Sequence, residues 1–281
     1  MTALLVADSF LVDDGRVRGL SLHRARFTAS CSAHGIDAGG FFDAVIAELP
    51  REGRWFPRLE LTDKDLELGT GAERGLRTGA ELGLATGTEF ELRIGAQPEV
   101  GIGREPPLAG RVELGWRLRP APEYGGPVAV LPYDRPDPRR QPRVKGPDLE
   151  LLGALRDQAA ASDGAGEVLL CGGAGEVLEG AYTSLLWWED DVLCLPPADL
   201  PVLPSVTASL LRGVAAERGV EVAERRRTIA ELDGREAWLV NALHGIRPVR
   251  AWLGSGPSPG AAVHAAEWQR LLTDLAEPLP A

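Results

Sequence analysis

Hydrophobic positions recur at helical spacing in some stretches of this chain and alternate or run together in others. ALLVADSFLV, near the start, alternates weakly and predicts a short strand, whereas DAGGFFDAVIAELPREG places Phe42, Val45, Ile46 and Leu49 on one helical face. GPDLELLGALRDQAAASDG repeats that spacing at Leu149, Leu152 and Leu155, and Pro147 with Asp148 supplies a helix start. Next, EVLLCGGAGEVLEGAYTSLLWWEDDVLCLPP reads as successive strands broken by GGAG and EDD turns, an antiparallel meander. SVTASLLRGVAAERG predicts a helix closed by Gly219, GVEVAERR and AWLVNALHGIRPVRAW give further strands, and AAVHAAEWQRLLTDLAEP is an amphipathic terminal helix. Sheet and helix are mixed rather than strictly alternating, which defines an α+β fold.

Three interruptions organise the pattern. Residues 69–93 hold TGAERGLR, TGAELGLA and TGTEFELR, a repeat with a period of eight. It is too short for a stacked repeat architecture and reads as a surface loop or strand extension. The run YDRPDPRRQPR has three prolines and four arginines in eleven residues, which excludes a helix interior or central strand. Residues 134–143 are therefore expected to link an N-terminal α+β domain, 1–133, to a C-terminal domain, 144–281.

Composition narrows the function more than the fold. The 281 residues are 44% hydrophobic and 25% charged, with 22 prolines and 34 glycines, values of an ordinary globular protein rich in turns. A net charge of −11 argues against a nucleic-acid binder, since phosphate backbones need a concentrated basic surface. Small anions remain open, because one local arginine outweighs the global sign. MTALLVADSFLVDDG does not fit a secretory signal, and no apolar run reaches membrane-spanning length, so a cytoplasmic protein without a membrane partner is expected. Cys31, Cys171 and Cys194 are too scattered for a disulfide framework, and His23, His34, His244 and His264 lack metal-ligand spacing. GTGAERG has its glycines in the wrong register for a dinucleotide fingerprint, and no GxSxG occurs.

Lysine is rare here. Of 30 basic residues only Lys64, in TDKDLE, and Lys145, in QPRVKGPDLE, are lysines. Codon bias toward arginine explains the scarcity, yet an amine can lose its proton and attack a carbonyl as a guanidinium cannot. Lys64, between two aspartates, fits a solvated loop. In LPSVTASLLRG, Ser205, Val206 and Thr207 open a helix and can present donors to a phosphate, or Ser205 or Thr207 can simply cap it. Glu179 ends an apolar strand, where a carboxylate is either solvated or paired with a cation. Arg24 and Arg26 in LSLHRARF fit a plain surface. Trp187 and Trp188 fit a pocket wall or, more commonly, a core.

The order of these residues resembles the fold-type IV pyridoxal-phosphate enzymes: a lysine before a helix, a strand ending in Glu, then a (G/S)-(V/I)-T turn opening a helix. This is the class IV aminotransferase family, which includes the 4-amino-4-deoxychorismate lyases, and the likeness is strongest over residues 143–250. DGRVRGLSLHRARF also looks like the family's stretch in which a histidine, here His23, precedes the phosphate-binding arginine, here Arg26, by three residues. The resemblance implies a two-domain fold type IV enzyme, like the D-amino-acid and branched-chain aminotransferases. It also implies a homodimer with pyridoxal 5'-phosphate between the domains. Lys145 would be the Schiff-base lysine and α-carbon base, Glu179 the partner of the pyridine nitrogen, and Arg26, Ser205, Val206 and Thr207 the phosphate site. WLVNALHGIRPV looks most like the lyases, which eliminate pyruvate to leave 4-aminobenzoate. There Asn241 and Arg247 become substrate-binding candidates. A transaminase acting on an amino acid or amine, and a catalytically silent relative kept for binding, are the alternatives.

Overall fold

The computed structural model describes residues 2–64, 90–95 and 112–281. Two compact units result, Met1–Ala121 with Pro278–Ala281, and Pro122–Glu277.

Unit 1 contains β1 (Thr2–Ser9), β2 (Val12–Asp13), β3 (Arg16–Arg18), α1 (Leu20–Ser32), α2 (Gly39–Glu48), β4 (Arg54–Trp55), β5 (Arg58–Lys64), β6 (Phe90–Gly95) and β7 (Val112–Leu118). An antiparallel sheet runs in the order β1-β5-β7-β6, and β2 pairs separately with β3 and β4. The helical spacing foreseen over 42–49 is α2, whose Phe42, Val45 and Ile46 are buried. Ring contacts join Phe42 to Phe10, just after β1, at 6.1 Å and to Phe27 of α1 at 6.3 Å, so one aromatic cluster ties the end of β1 to both helices. Each such side chain contributes roughly 1.5–3 kcal/mol through burial. Lys64 ends β5 rather than lying in a loop. Of the repeat, residues 69–89 lie outside the described residues and 90–93 belong to β6.

Unit 2 contains β8 (Val128–Pro136), α3 (Leu149–Asp163), β9 (Glu167–Cys171), β10 (Val177–Gly180), β11 (Ser184–Glu189), β12 (Val192–Leu195), α4 (Val206–Glu217), β13 (Val222–Glu224), β14 (Ala237–Asn241), β15 (Gly245–Trp252) and α5 (Ala265–Asp274). The strand order is β10-β9-β8-β15-β14-β11-β12-β13, and an extra pairing of β10 with β11 closes six strands into a ring. That closing pair is Glu179 with Ser184. The expected meander over β9 to β12 is antiparallel throughout.

Both faces of this sheet are covered. Leu185 and Trp187 of β11 pack with Val128, Val130, Leu239 and Trp252, while Leu186 and Trp188 point the other way, against Leu211 of α4 and Trp268 of α5. Adjacent strand residues face opposite sides, so the two tryptophans enter different cores. Both are buried core residues.

The proline-rich stretch 134–143 is not a linker, since it lies inside unit 2 and begins within a central strand of the sheet. The pairing of β8 with β9 shifts register between Pro132, opposite Leu169, and Pro136, opposite Cys171. A break in the ladder removes the need for a regular amide donor, which accommodates proline there. Among the described residues, no helix is long and apolar enough to cross a membrane.

Candidate active site

Glu179 is the node of unit 2. It is 4% exposed at the end of β10, where ring closure leaves its side chain little access to water. Its Oε1 accepts two hydrogen bonds, from Arg139 Nη1 at 2.5 Å and from the Leu203 amide at 2.8 Å. Among the described residues, Oε2 accepts none. Gly180 must follow, because a Cβ there would stand 2.1 Å from Thr183 Oγ1 and 3.0 Å from Glu167 Cγ.

Arg139 binds the site together. Its Nε and Nη2 clasp Asp137 at 2.9 and 2.8 Å, and Nη2 also donates to the Pro201 carbonyl. Loss of hydration works against the buried cation, but Asp137 and Glu179 more than offset it, and its pKa lies above the ordinary arginine value. Burial pushes the Glu179 carboxyl up to about 7, against the pull of Arg139. Of the pair, Glu179 is the member that exchanges a proton. Neither residue type nor spacing singled out Arg139, which the proline run disguised as solvated linker.

Lys145 is half-buried in a loop fastened at both ends. Asp148 accepts the Arg140 and Gln141 amides at 3.1 and 2.9 Å, so its side chain closes this loop instead of capping α3 as the sequence suggested. Arg143 donates to the carbonyls of Ala198, Asp199 and Leu200 at 2.8–3.0 Å. The lysine segment is thus held to the segment that leads into α4.

Ser205 is the N-cap of α4, its hydroxyl accepting the Ala208 amide at 3.2 Å. That hydroxyl is committed to capping. Val206 and Thr207 are buried in the first turn, where amides have no intrahelical acceptor and the helix dipole favours an anion. A cavity of about 170 Å³ borders Glu179, Ser184, Leu203, Pro204 and Ser205. A larger one, about 420 Å³, lined by Leu131, Tyr133, Leu155 and Leu253, includes none of the sequence-predicted residues.

Asn241 and Arg247 lie on the β14–β15 hairpin. Asn241 Oδ1 accepts the His244 amide at 2.8 Å, fixing the turn, and Nδ2 reaches the Tyr182 carbonyl at 3.4 Å. Arg247 Nε donates to the Gly126 carbonyl at 2.9 Å.

Arg26 and His23 belong to unit 1. Asp8, fully buried in β1, accepts Arg26 Nη2 at 2.7 Å and His23 Nδ1 at 2.9 Å on Oδ1, and Arg26 Nε at 2.9 Å on Oδ2. Arg24, by contrast, pairs with Asp43 on the surface. Sequence reading missed Asp8, although a charge inside the apolar alternation of ALLVADSFLV was the available signal.

The structure therefore joins Glu179 to the Lys145 loop through Arg139 and to the Ser205 turn through Leu203. Residues 115–252 match the amino-transferase class IV family. No curated protein sequence matches the chain. Among solved structures, the branched-chain amino acid aminotransferase of Escherichia coli superimposes with a TM-score of 0.70 at 17% identity, over 97% of this chain and 85% of that one. A hypothetical aminotransferase from Mycobacterium tuberculosis, in its pyridoxal-phosphate-bound form, gives 0.66 at 19%, over 96% and 88%. A protein assigned as a 4-amino-4-deoxychorismate lyase from Legionella pneumophila gives 0.67 at 18%, over 96% and 90%. Similarity at these identities is similarity of fold.

Proposed function

From a chain with the two-domain α+β architecture of the fold-type IV pyridoxal-phosphate enzymes, we propose a pyridoxal-phosphate enzyme that uses Lys145 as its covalent anchor. Its leading reaction is elimination of pyruvate from 4-amino-4-deoxychorismate to leave 4-aminobenzoate. The observation that carries the cofactor reading is the half-claimed carboxylate of Glu179, whose Oε1 takes Arg139 and Leu203 while Oε2 takes nothing among the described residues. A carboxylate oxygen left without a protein donor on a side chain only 4% exposed is open to a donor from a ligand.

The residues present fit the group. Glu179 Oε2 would accept the ring N–H, and the Val206 and Thr207 amides would hold the phosphate. When bound, the cofactor supplies an aldehyde that captures an amine and a ring that accepts electrons from the substrate α-carbon. Glu179, given a second cationic donor at Oε2 besides Arg139, ionises. Lys145 would take and return the proton at the substrate α-carbon. Arg139 keeps the carboxylate aimed by pinning Oε1. Asn241 would steady the turn after Glu179 through the Tyr182 carbonyl.

The lyase assignment follows the segment WLVNALHGIRPV. Its test is pyruvate release from 4-amino-4-deoxychorismate with no keto acid present. Turnover only when a keto-acid acceptor is added makes the protein a transaminase. Neither activity, with no covalent capture of the cofactor, makes it a binding relative.

A further inference from the structure

The stretch PPADLPVLP, residues 196–204, leads into α4 with four prolines in nine residues and belongs to no strand. Proline donates no amide, and without a ladder the carbonyls here need donors from elsewhere. Two arginines flanking the lysine loop supply them. Arg143 Nη1 donates to the Ala198 carbonyl at 2.9 Å, and its Nη2 donates to those of Asp199 at 3.0 Å and Leu200 at 2.8 Å. Arg139 Nη2 takes the next carbonyl, Pro201, at 2.8 Å. Four successive carbonyls are thus held by two guanidiniums from one loop.

Both sides of this clasp are anchored independently. Leu200 is buried with Leu152 of α3 and Leu178 of β10, and the Leu203 amide is fixed on Glu179. Asp148 closes the lysine loop from within. The clasped stretch is also a wall, since Ala198, Val202, Leu203, Pro204 and Ser205 line the cavity of about 170 Å³ that Glu179 borders. Lys145 follows Arg143 by two residues, at most about 7 Å of chain.

We propose that Arg143 is a positioning residue that fixes Lys145 relative to the first turn of α4, and thereby sets how strongly the protein prefers a phosphorylated pyridoxal over pyridoxal itself. A ligand joined covalently at one end and held by amides at the other gains from its second contact only while the two attachments keep a fixed separation. A loop released from the 198–200 carbonyls loses that separation, although each attachment survives. Lysine is a poor replacement, because its compact ammonium lacks the planar fork that spans three carbonyls. The proposal rests on the reading of Lys145 as covalent anchor and of the Val206 and Thr207 amides as phosphate site.

The test titrates the full-length protein with pyridoxal phosphate and with pyridoxal, then traps each on Lys145 with borohydride, wild type beside Arg143→Ala and Arg143→Lys. In Arg143→Ala the half-saturating concentration of pyridoxal phosphate rises roughly tenfold and that of pyridoxal less than about twofold, so the preference between them shrinks. Arg143→Lys falls between the two proteins, and it carries the same ratio should Arg143→Ala fail to fold. Equal losses for both aldehydes, or no loss for either, overturn the proposal. Amide hydrogen exchange without cofactor reads the clasp itself: residues 141–146 and 198–203 exchange faster together in Arg143→Ala, and unchanged exchange also overturns it. Trapping with an unaltered preference sinks the positioning role alone. Faster exchange, with neither aldehyde trapped even in the wild type, sinks the Lys145 reading and the positioning role with it.

Discussion

Asp8 in unit 1 and Glu179 in unit 2 are both buried carboxylates facing arginine, yet they end in opposite electrostatic states. Burial alone would raise both. For Asp8, the charges and hydrogen bonds of Arg26 and His23 outweigh it, and the group lies well below the usual carboxylate range. For Glu179, Arg139 does not outweigh burial, and the group rises to about 7. Accounting for acceptor atoms explains the difference. Asp8 fills both oxygens, with the Ser9 amide as a further donor at 2.7 Å, whereas Glu179 crowds its donors onto one oxygen and its arginine is shared with Asp137. A completed carboxylate holds a fold together; an incomplete one waits for a partner.

Truncation separates the two most strongly. Asp8→Ala removes the buried carboxylate that Arg26 and His23 share and is expected to cost about 3–5 kcal/mol in urea unfolding. Glu179→Ala, which leaves Arg139 with Asp137, costs about 1–3 kcal/mol. Equal losses would break the comparison.

Stability against pH comes next. Glu179 has a folded pKa above its ordinary 4.5, so between that value and about 7 the folded chain keeps a proton that the unfolded chain has released. Stability without cofactor therefore falls across that window, by up to about 3 kcal/mol. Glu179→Gln flattens the slope. Asp8 works the other way: its contribution is present above about 3.8 and is lost as the pH falls further. Urea midpoints at stepped pH, wild type beside Glu179→Gln, read both limbs. A slope retained in the variant assigns the proton elsewhere.

The smallest effect sharpens the same point at the turn that Glu179 holds. Ser205→Ala removes the cap bond to Ala208 and is expected to cost about 1 kcal/mol. Because that hydroxyl is already committed, pyridoxal-phosphate affinity should change less than twofold, whereas a large loss would mean that Ser205 binds phosphate directly.

Much of this was legible in the chain because it depends on local periodicity. The spacing of Phe42, Val45 and Ile46, of Leu149, Leu152 and Leu155, and the turns at GGAG and EDD located α2, α3 and the meander. Glu179 stood out as a carboxylate at the end of an apolar strand, either solvated or paired with a cation. Its partner did not, because Arg139 sits among prolines whose tolerance depends on a ladder break against β9, a long-range feature no local pattern encodes. Asp8 escaped for a similar reason, since its donors lie on α1, 15 and 18 residues away.

The central claim is that Lys145 is a covalent cofactor anchor. With only Lys64 and Lys145 available, reduction by borohydride in the presence of pyridoxal phosphate, followed by peptide mass mapping, gives a clean answer. The account predicts a phosphopyridoxyl adduct on the peptide containing Lys145, absent from Lys145→Ala. No adduct in the wild type, or labelling of Lys64 and Lys145 alike, would contradict it.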